Sequence, residues 1–184
     1  VSFRNVTTFN LDEYCDLPQK DPNSYYSFMF DNLFRHTDID SARVNFLDGN
    51  AADDKAECAQ YEKRIKDAGG IDLQLLGIGN NGHIGFNEPA KEFTHTTYKV
   101  ALTQSTLERT IQPMPRNVFD EELARLNADL AEMGRRIDSI MQAKRIVLIA
   151  TGAAKAQAVR DMIRGAVSPE CPASILQNHA DVHI

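Results

Sequence analysis

Apolar positions along the chain change period repeatedly, and the changes mark the elements. Residues 3–9, with Val6 and Thr8 branched at Cβ, predict a strand. Tyr25, Phe28, Met29 and Leu33 fall at helical spacing and predict a helix over 24–35, with Phe28, Phe30 and Phe34 in the core. A short strand follows at "RVNFL". Asn50 is then a natural N-cap for a helix over 51–68 that carries Cys58, Tyr61 and Ile65 on one face and ends at Gly69-Gly70. Glu62, Lys63, Arg64 and Lys66 form its solvated side.

Residues 71–78 are almost continuously apolar, the pattern of a strand buried on both faces. "TTYKVAL" reads as another strand. Leu123, Leu126, Leu130, Met133, Ile137, Ile140 and Met141 recur mostly at intervals of three and four, which predicts an amphipathic helix over 120–141. "RIVLIA" is a buried strand, residues 153–163 form a helix stopped at Arg164-Gly165, and a last strand starts in "ADVHI". Strands alternate with helices without repeats or a low-complexity linker. The expected fold is α/β, with a mostly parallel sheet, in one domain over 1–184. The chain opens directly into strand-like sequence and closes as a strand begins, so both ends read as cut from a longer chain.

Composition narrows the function. The chain has 184 residues, 42% hydrophobic and 25% charged, and a net charge of −6, which argues against a broad nucleic-acid surface. An anionic substrate would need local cations. No apolar run is long enough to span a membrane. Cys15, Cys58 and Cys171 lack CxxC spacing and read as reduced cytoplasmic thiols rather than a disulfide frame or zinc site.

The densest chemistry lies in "LLGIGNNGHIGFNEPA", residues 75–90. Gly77, Gly79 and Gly82 match GxGxxG formally. A dinucleotide site would also need a helix straight afterwards and an acidic residue some twenty positions on. Pro89 cuts any such helix short, and "TTYKVALT" has no carboxylate. What remains is a turn carrying His83 and Glu88 beside Asn80 and Asn81. Histidine both gives and takes a proton near neutral pH, and a carboxylate beside it fixes its tautomer. Asp12 and Glu13, just after the first strand, form a second cluster, which reads as a proton-transfer group at the sheet's carboxyl edge, as a cap on the loop before Ser24, or as solvated charge. Lys155, at a helix start, is suited to an anion.

Three blocks, "TTFNLDEYCDLPQKDPNSYYSFM", "LLGIGNNGHIGFNEPA" and "ATGAAKAQAV…SPECPASILQNH", resemble the glucosamine-6-phosphate deaminase/isomerase family in order and spacing. The resemblance implies a Rossmann-like α/β fold with helices on both faces of the sheet, and conversion of glucosamine 6-phosphate and water to fructose 6-phosphate and ammonia, with neither metal nor organic cofactor. It implies that His83 opens the sugar ring, with Asn81 and Glu88 orienting it. Asp12 would move the C2 proton to C1, and Lys155 would hold the phosphate. The implied partner is a small amino-sugar phosphate, in the cytoplasm, with neither nucleic acid nor membrane; a homo-oligomer is compatible.

The chain also departs from the family pattern. The family's N-terminal phosphate loop is not in this sequence, and Asn81 stands where some members have Asp. Gln112 stands where a phosphate-binding arginine is expected, with Arg109 and Arg116 nearby. Residues 102–140 form an atypical lid-like region whose helical pattern replaces an expected strand. Lys91, Glu92, Tyr98 and Val100 occupy positions where some members are basic, so that allosteric regulation is not expected. Galactosamine-6-phosphate isomerase, 6-phosphogluconolactonase and a non-catalytic sugar-phosphate binder are the alternatives.

Overall fold

A computed structural model describes residues 1–93, 98–101 and 131–184. The chain divides into two compact units, residues 1–54 with 99–133 and residues 55–98 with 134–184.

In the first unit the predicted opening strand is reduced to β1 (Thr8–Phe9). Val6 instead donates its N–H to Phe3 O across a turn (2.9 Å), which takes the preceding residues out of the ladder. β1 pairs in parallel with β3 (Val44–Asn45), Thr8 opposite Val44. A second sheet has the order β2 (Asp12–Tyr14), β6 (Ala131–Gly134), β5 (Tyr98–Ala101).

Helix α1 (Tyr25–Asn32) starts where expected, because Ser24 Oγ accepts the Ser27 N–H and so satisfies one of the orphan donors of the first turn. Its aromatic face is split. Phe34 is buried and packs edge-on against Phe46 and Phe30, whereas Phe28 is exposed, contrary to the core assignment.

Helix α2 (Asp54–Asp67) buries Cys58, Tyr61 and Ile65 as their spacing predicts. It begins later than expected. Asn50 does not cap it; its side-chain amide donates to Leu17 O (2.7 Å). Gly69 and Gly70 both have positive φ, and Gly70 N–H returns to Ile65 O (2.9 Å), closing the helix.

The core of the second unit is a parallel three-stranded sheet of order β4 (Leu73–Leu76), β7 (Arg145–Leu148), β8 (Val182–His183). Here the two-faced burial expected of residues 71–78 fails. Gln74 and Leu76 point into the core, while Leu73 and Leu75 are more than half exposed. Strand pleat alone makes the assignment: the buried face takes every second residue, whatever its polarity. β7 repeats the pattern, with Ile146 and Leu148 buried and Ile149 just beyond it exposed.

The helix predicted over 120–141 is also corrected. Residues 102–130 lie outside the described residues, and with them Gln112, Arg109 and Arg116. Residues 131–134 are strand β6, so the strand thought to be replaced is present. Among the described residues of that span, Ile137–Met141, α3, is the helical part. The last helix, α4 (Ala156–Arg164), follows a 3₁₀ turn at Ala153–Lys155 and closes with Gly165 N–H on Asp161 O (2.9 Å).

Candidate active site

The loop after β4 is built around glycines that leave no room for a side chain. Gly79 N–H donates to His83 O (2.8 Å), folding the loop back on itself. The His83 ring lies over the Gly79 Cα, where any Cβ would overlap the imidazole. Gly82 has φ +85°, a conformation that favours glycine, and a Cβ there would stand 2.7 Å from Cys171 Sγ. Its carbonyl accepts the Ala173 N–H (2.9 Å), and Ala90 N–H donates to Pro169 O (2.9 Å), so the loop sits on the 168–174 segment at both ends.

This frame brings together three of the predicted residues. His83 Nδ1 lies 3.1 Å from Glu88 Oε1, off the line of a ring N–H, so the contact is electrostatic rather than an aligned hydrogen bond. Both side chains are largely shielded, at 19% and 15% exposure, which strengthens their interaction over that of a surface pair. Asn81 Nδ2 donates to the other carboxylate oxygen, Glu88 Oε2 (2.7 Å), and Asn81 Oδ1 accepts the His83 N–H (3.3 Å). Asn81 thus holds both the base of the loop and the carboxylate. As a neutral amide it donates to that carboxylate, where an ionised Asp would repel it.

Asp12 and Glu13 have different surroundings. Glu13 is the cap: Oε1 accepts the Tyr14 and Tyr25 N–H groups and Oε2 the Tyr26 N–H, all at 2.9 Å. Asp12 follows β1 and is the opening residue of the buried strand β2. Among the described residues no donor reaches its carboxylate. Burial, and secondly the neighbouring Glu13 charge, push its pKa up to about 7. Glu13 is also raised by burial, with its three N–H donors pulling the other way.

Lys155 ends the 3₁₀ turn and stands at the N-terminus of α4, after Gly152 at φ +84°. Among the described residues no group of three His, Cys, Asp or Glu side chains is arranged to hold a metal. The three cysteines are free, with Cys15 and Cys58 buried. No helix among these residues is long and apolar enough to cross a membrane.

The sequence analysis missed Arg135 and Arg136. Both are fully buried, and no hydrophobic period marks them. Arg135 donates to Ser139 Oγ (2.9 Å), Ser139 O (2.7 Å) and Gln74 Oε1, and Ser139 Oγ in turn donates to Glu62 Oε2 (3.0 Å). Glu62, assigned to a solvated helix face, therefore belongs to a buried network. Two charges in one turn were the available signal.

Comparison with known proteins places the chain among relatives. Residues 1–107 match the family described as glucosamine-6-phosphate isomerases/6-phosphogluconolactonase. The glucosamine-6-phosphate deaminase of Alkaliphilus oremlandii is 46% identical over 182 residues, covering 99% of this chain and 72% of that protein. That of Halalkalibacterium halodurans is 46% identical over 184 residues, covering 100% and 72%. A solved structure of a monomeric glucosamine-6-phosphate deaminase superposes with a TM-score of 0.89 at 41% identity, covering 99% of this chain and 72% of that one. The 6-phosphogluconolactonase of Thermotoga maritima (TM-score 0.70, 15% identity, 94% and 69% covered) shares the fold alone. With relatives this similar along nearly its whole length, the chain belongs to the glucosamine-6-phosphate isomerase/6-phosphogluconolactonase family.

Proposed function

We propose that the chain is a glucosamine-6-phosphate deaminase, an enzyme that converts glucosamine 6-phosphate and water to fructose 6-phosphate and ammonia. Its similarity to enzymes of that name supports the activity. The observation that carries the reaction type is Asp12, a buried carboxyl poised near pH 7. A general base is most effective when its pKa is near the working pH. Hydrolysis of a lactone needs no carbon base, so Asp12 favours the isomerising deaminase over the lactonase.

In this reading His83 takes the proton of the C1 hydroxyl and returns one to the ring oxygen, opening the pyranose. Glu88 stabilises the imidazolium formed on the way, and Asn81 fixes Glu88. Asp12 then removes the C2 proton of the open-chain amino aldehyde. The enolamine is reprotonated at C1 to give a C2 imine, to which water adds; the C–N bond breaks and ammonia leaves with the proton balance closed. Lys155, beside the positive end of α4, takes the substrate phosphate. Every assigned group lies on one chain, in keeping with the monomeric relative. Free cysteines and the metabolite substrate support a cytoplasmic setting.

The test is ammonia release from glucosamine 6-phosphate, with exchange of the C2 proton in deuterated water as the second readout. Release with exchange supports the deaminase. Turnover of 6-phosphogluconolactone without exchange would transfer the assignment to the lactonase branch. His83→Gln should lower ammonia release by roughly 10²-fold or more; unchanged release removes His83 from the mechanism.

A further inference from the structure

Glu88 acts on His83 only if its backbone is held, and no regular element holds it. It follows Asn87 and precedes Pro89 in a loop whose local pairing is a single bridge, Ile84 opposite Asn87. Proline fixes the chain on the far side of Glu88. On the near side the support is tertiary. Arg136 Nη1 donates to Phe86 O (2.8 Å), and Asn87 Nδ2 donates to Arg135 O (3.2 Å) as well as to Ile84 O (2.9 Å). Phe86, Asn87, Arg135 and Arg136 are all buried. Arg135 cannot drift, because its guanidinium is tied to Ser139 and Gln74. One dipeptide therefore grips the two residues before Glu88, one through its main-chain carbonyl and the other through its side chain.

We infer that Arg136 is a positioning residue for ring opening: with the Arg135 carbonyl it clamps the Phe86–Asn87 backbone so that Glu88 faces His83. This rests on the roles proposed for His83 and Glu88. Placing a charged side chain in a dry interior is costly, and the bond to Phe86 O is one of the contacts that offset the cost. A charge-assisted donor binds a carbonyl more strongly than a neutral one.

The experiment is a double-mutant cycle on the whole chain, combining Arg136→Met with Glu88→Gln. If the clamp acts through Glu88, Arg136→Met lowers kcat by about tenfold with KM little changed. Glu88→Gln then costs about tenfold less in the Arg136→Met background than in the parent. Arg136→Lys, which keeps a charged donor, recovers most of kcat. Additive losses, or a KM effect alone, overturn the proposal. Asn87→Ser is the milder second perturbation should Arg136→Met not fold, with the same non-additivity expected.

A readout independent of turnover is the His83 imidazole resonance at fixed pH. Glu88→Gln should move it in the parent and leave it nearly still in Arg136→Met or Asn87→Ser. Equal movement in both backgrounds defeats the clamp even if ammonia release is normal. Loss of the movement with no ammonia release from the parent upholds the clamp and removes the deaminase reading instead.

Discussion

The β2 segment and the loop after β4 each bring carboxylates into a shielded place and treat them in opposite ways. In the loop, Glu88 is met by an amide and an imidazole, so its charge is used where it stands. At β2, two acids are adjacent in sequence, yet three backbone N–H groups go to Glu13 and, among the described residues, none to Asp12. Burial without donors leaves Asp12 with a pKa near 7. The difference teaches that donor supply separates two equally adjacent acids: three N–H groups offset the burial of Glu13, and no such donors offset that of Asp12. Sequence adjacency says nothing about it.

The sharpest way to break the comparison is Asp12→Asn. If Asp12 is the carbon base, turnover falls by roughly 10³-fold and C2 exchange disappears, because general-base groups contribute about 10²–10⁴-fold. Surviving exchange would assign that proton to another group. The same variant tests the burial argument with the opposite sign in stability. Asp12 titrates near 7 when folded and at the ordinary aspartate value of 3.8 when unfolded. Between those values the folded chain holds a proton that the unfolded chain has released. Stability therefore falls as pH rises from about 4 to about 7 and is level above, by an amount on the order of 4 kcal/mol. Asp12→Asn should flatten that fall, melting above the parent at pH 8 and alongside it at pH 4. Parallel melting curves at both values would mean that Asp12 is solvated.

In the loop, the corresponding perturbation is Gly79→Ala. The new methyl would occupy the space of the His83 ring, and overpacking of this kind costs about 1–3 kcal/mol. The imidazole is the softest neighbour, so the expected result is a ring displaced from Glu88 and a fall in kcat of about tenfold or more. Gly69→Ala is the control: it meets no atom within 4 Å and carries only the penalty of its positive φ. Equal activity in the two variants would show that ring placement is not limiting.

What was legible in the sequence follows the same division. Periodicity found α1, α2 and α4, and in α2 it also found the buried face, because Cys58, Tyr61 and Ile65 repeat one burial relation along the helix. The glycine-rich loop was legible as a site because close approach to His83 and Cys171 leaves glycine without a substitute. The run over 71–78 misled, since leucines on the exposed side of a pleat are indistinguishable in sequence from buried ones. Residues 131–134 misled in the other direction. Met133 happened to continue a helical interval, but backbone pairing decides a strand of four residues, and pairing is non-local. Arg135 and Arg136 were invisible for a related reason. A buried charge is defined by partners such as Gln74, Ser139 and Phe86, and those lie far off in sequence or carry no pattern.

The smallest effect separates the two neighbouring acids most cleanly. Glu13→Gln keeps the shape but replaces a carboxylate accepting three N–H groups by an amide with one acceptor oxygen. Two of those donors, Tyr25 and Tyr26, open α1, where anionic acceptors also interact favourably with the helix dipole. Ser24 remains as the side-chain cap, so the helix still starts at the same place. The loss should be about 1–2 kcal/mol, measured by denaturant unfolding. It should also remove the neighbouring charge that helps to raise Asp12, moving the acid limb of the pH–rate profile down. Burial is the larger cause of that elevation, so the displacement should be minor and the limb should stay well above the usual carboxylate range. A limb that collapsed to an ordinary carboxylate value would reverse the order of causes, making Asp12 a base tuned by its neighbour's charge rather than by a dry strand.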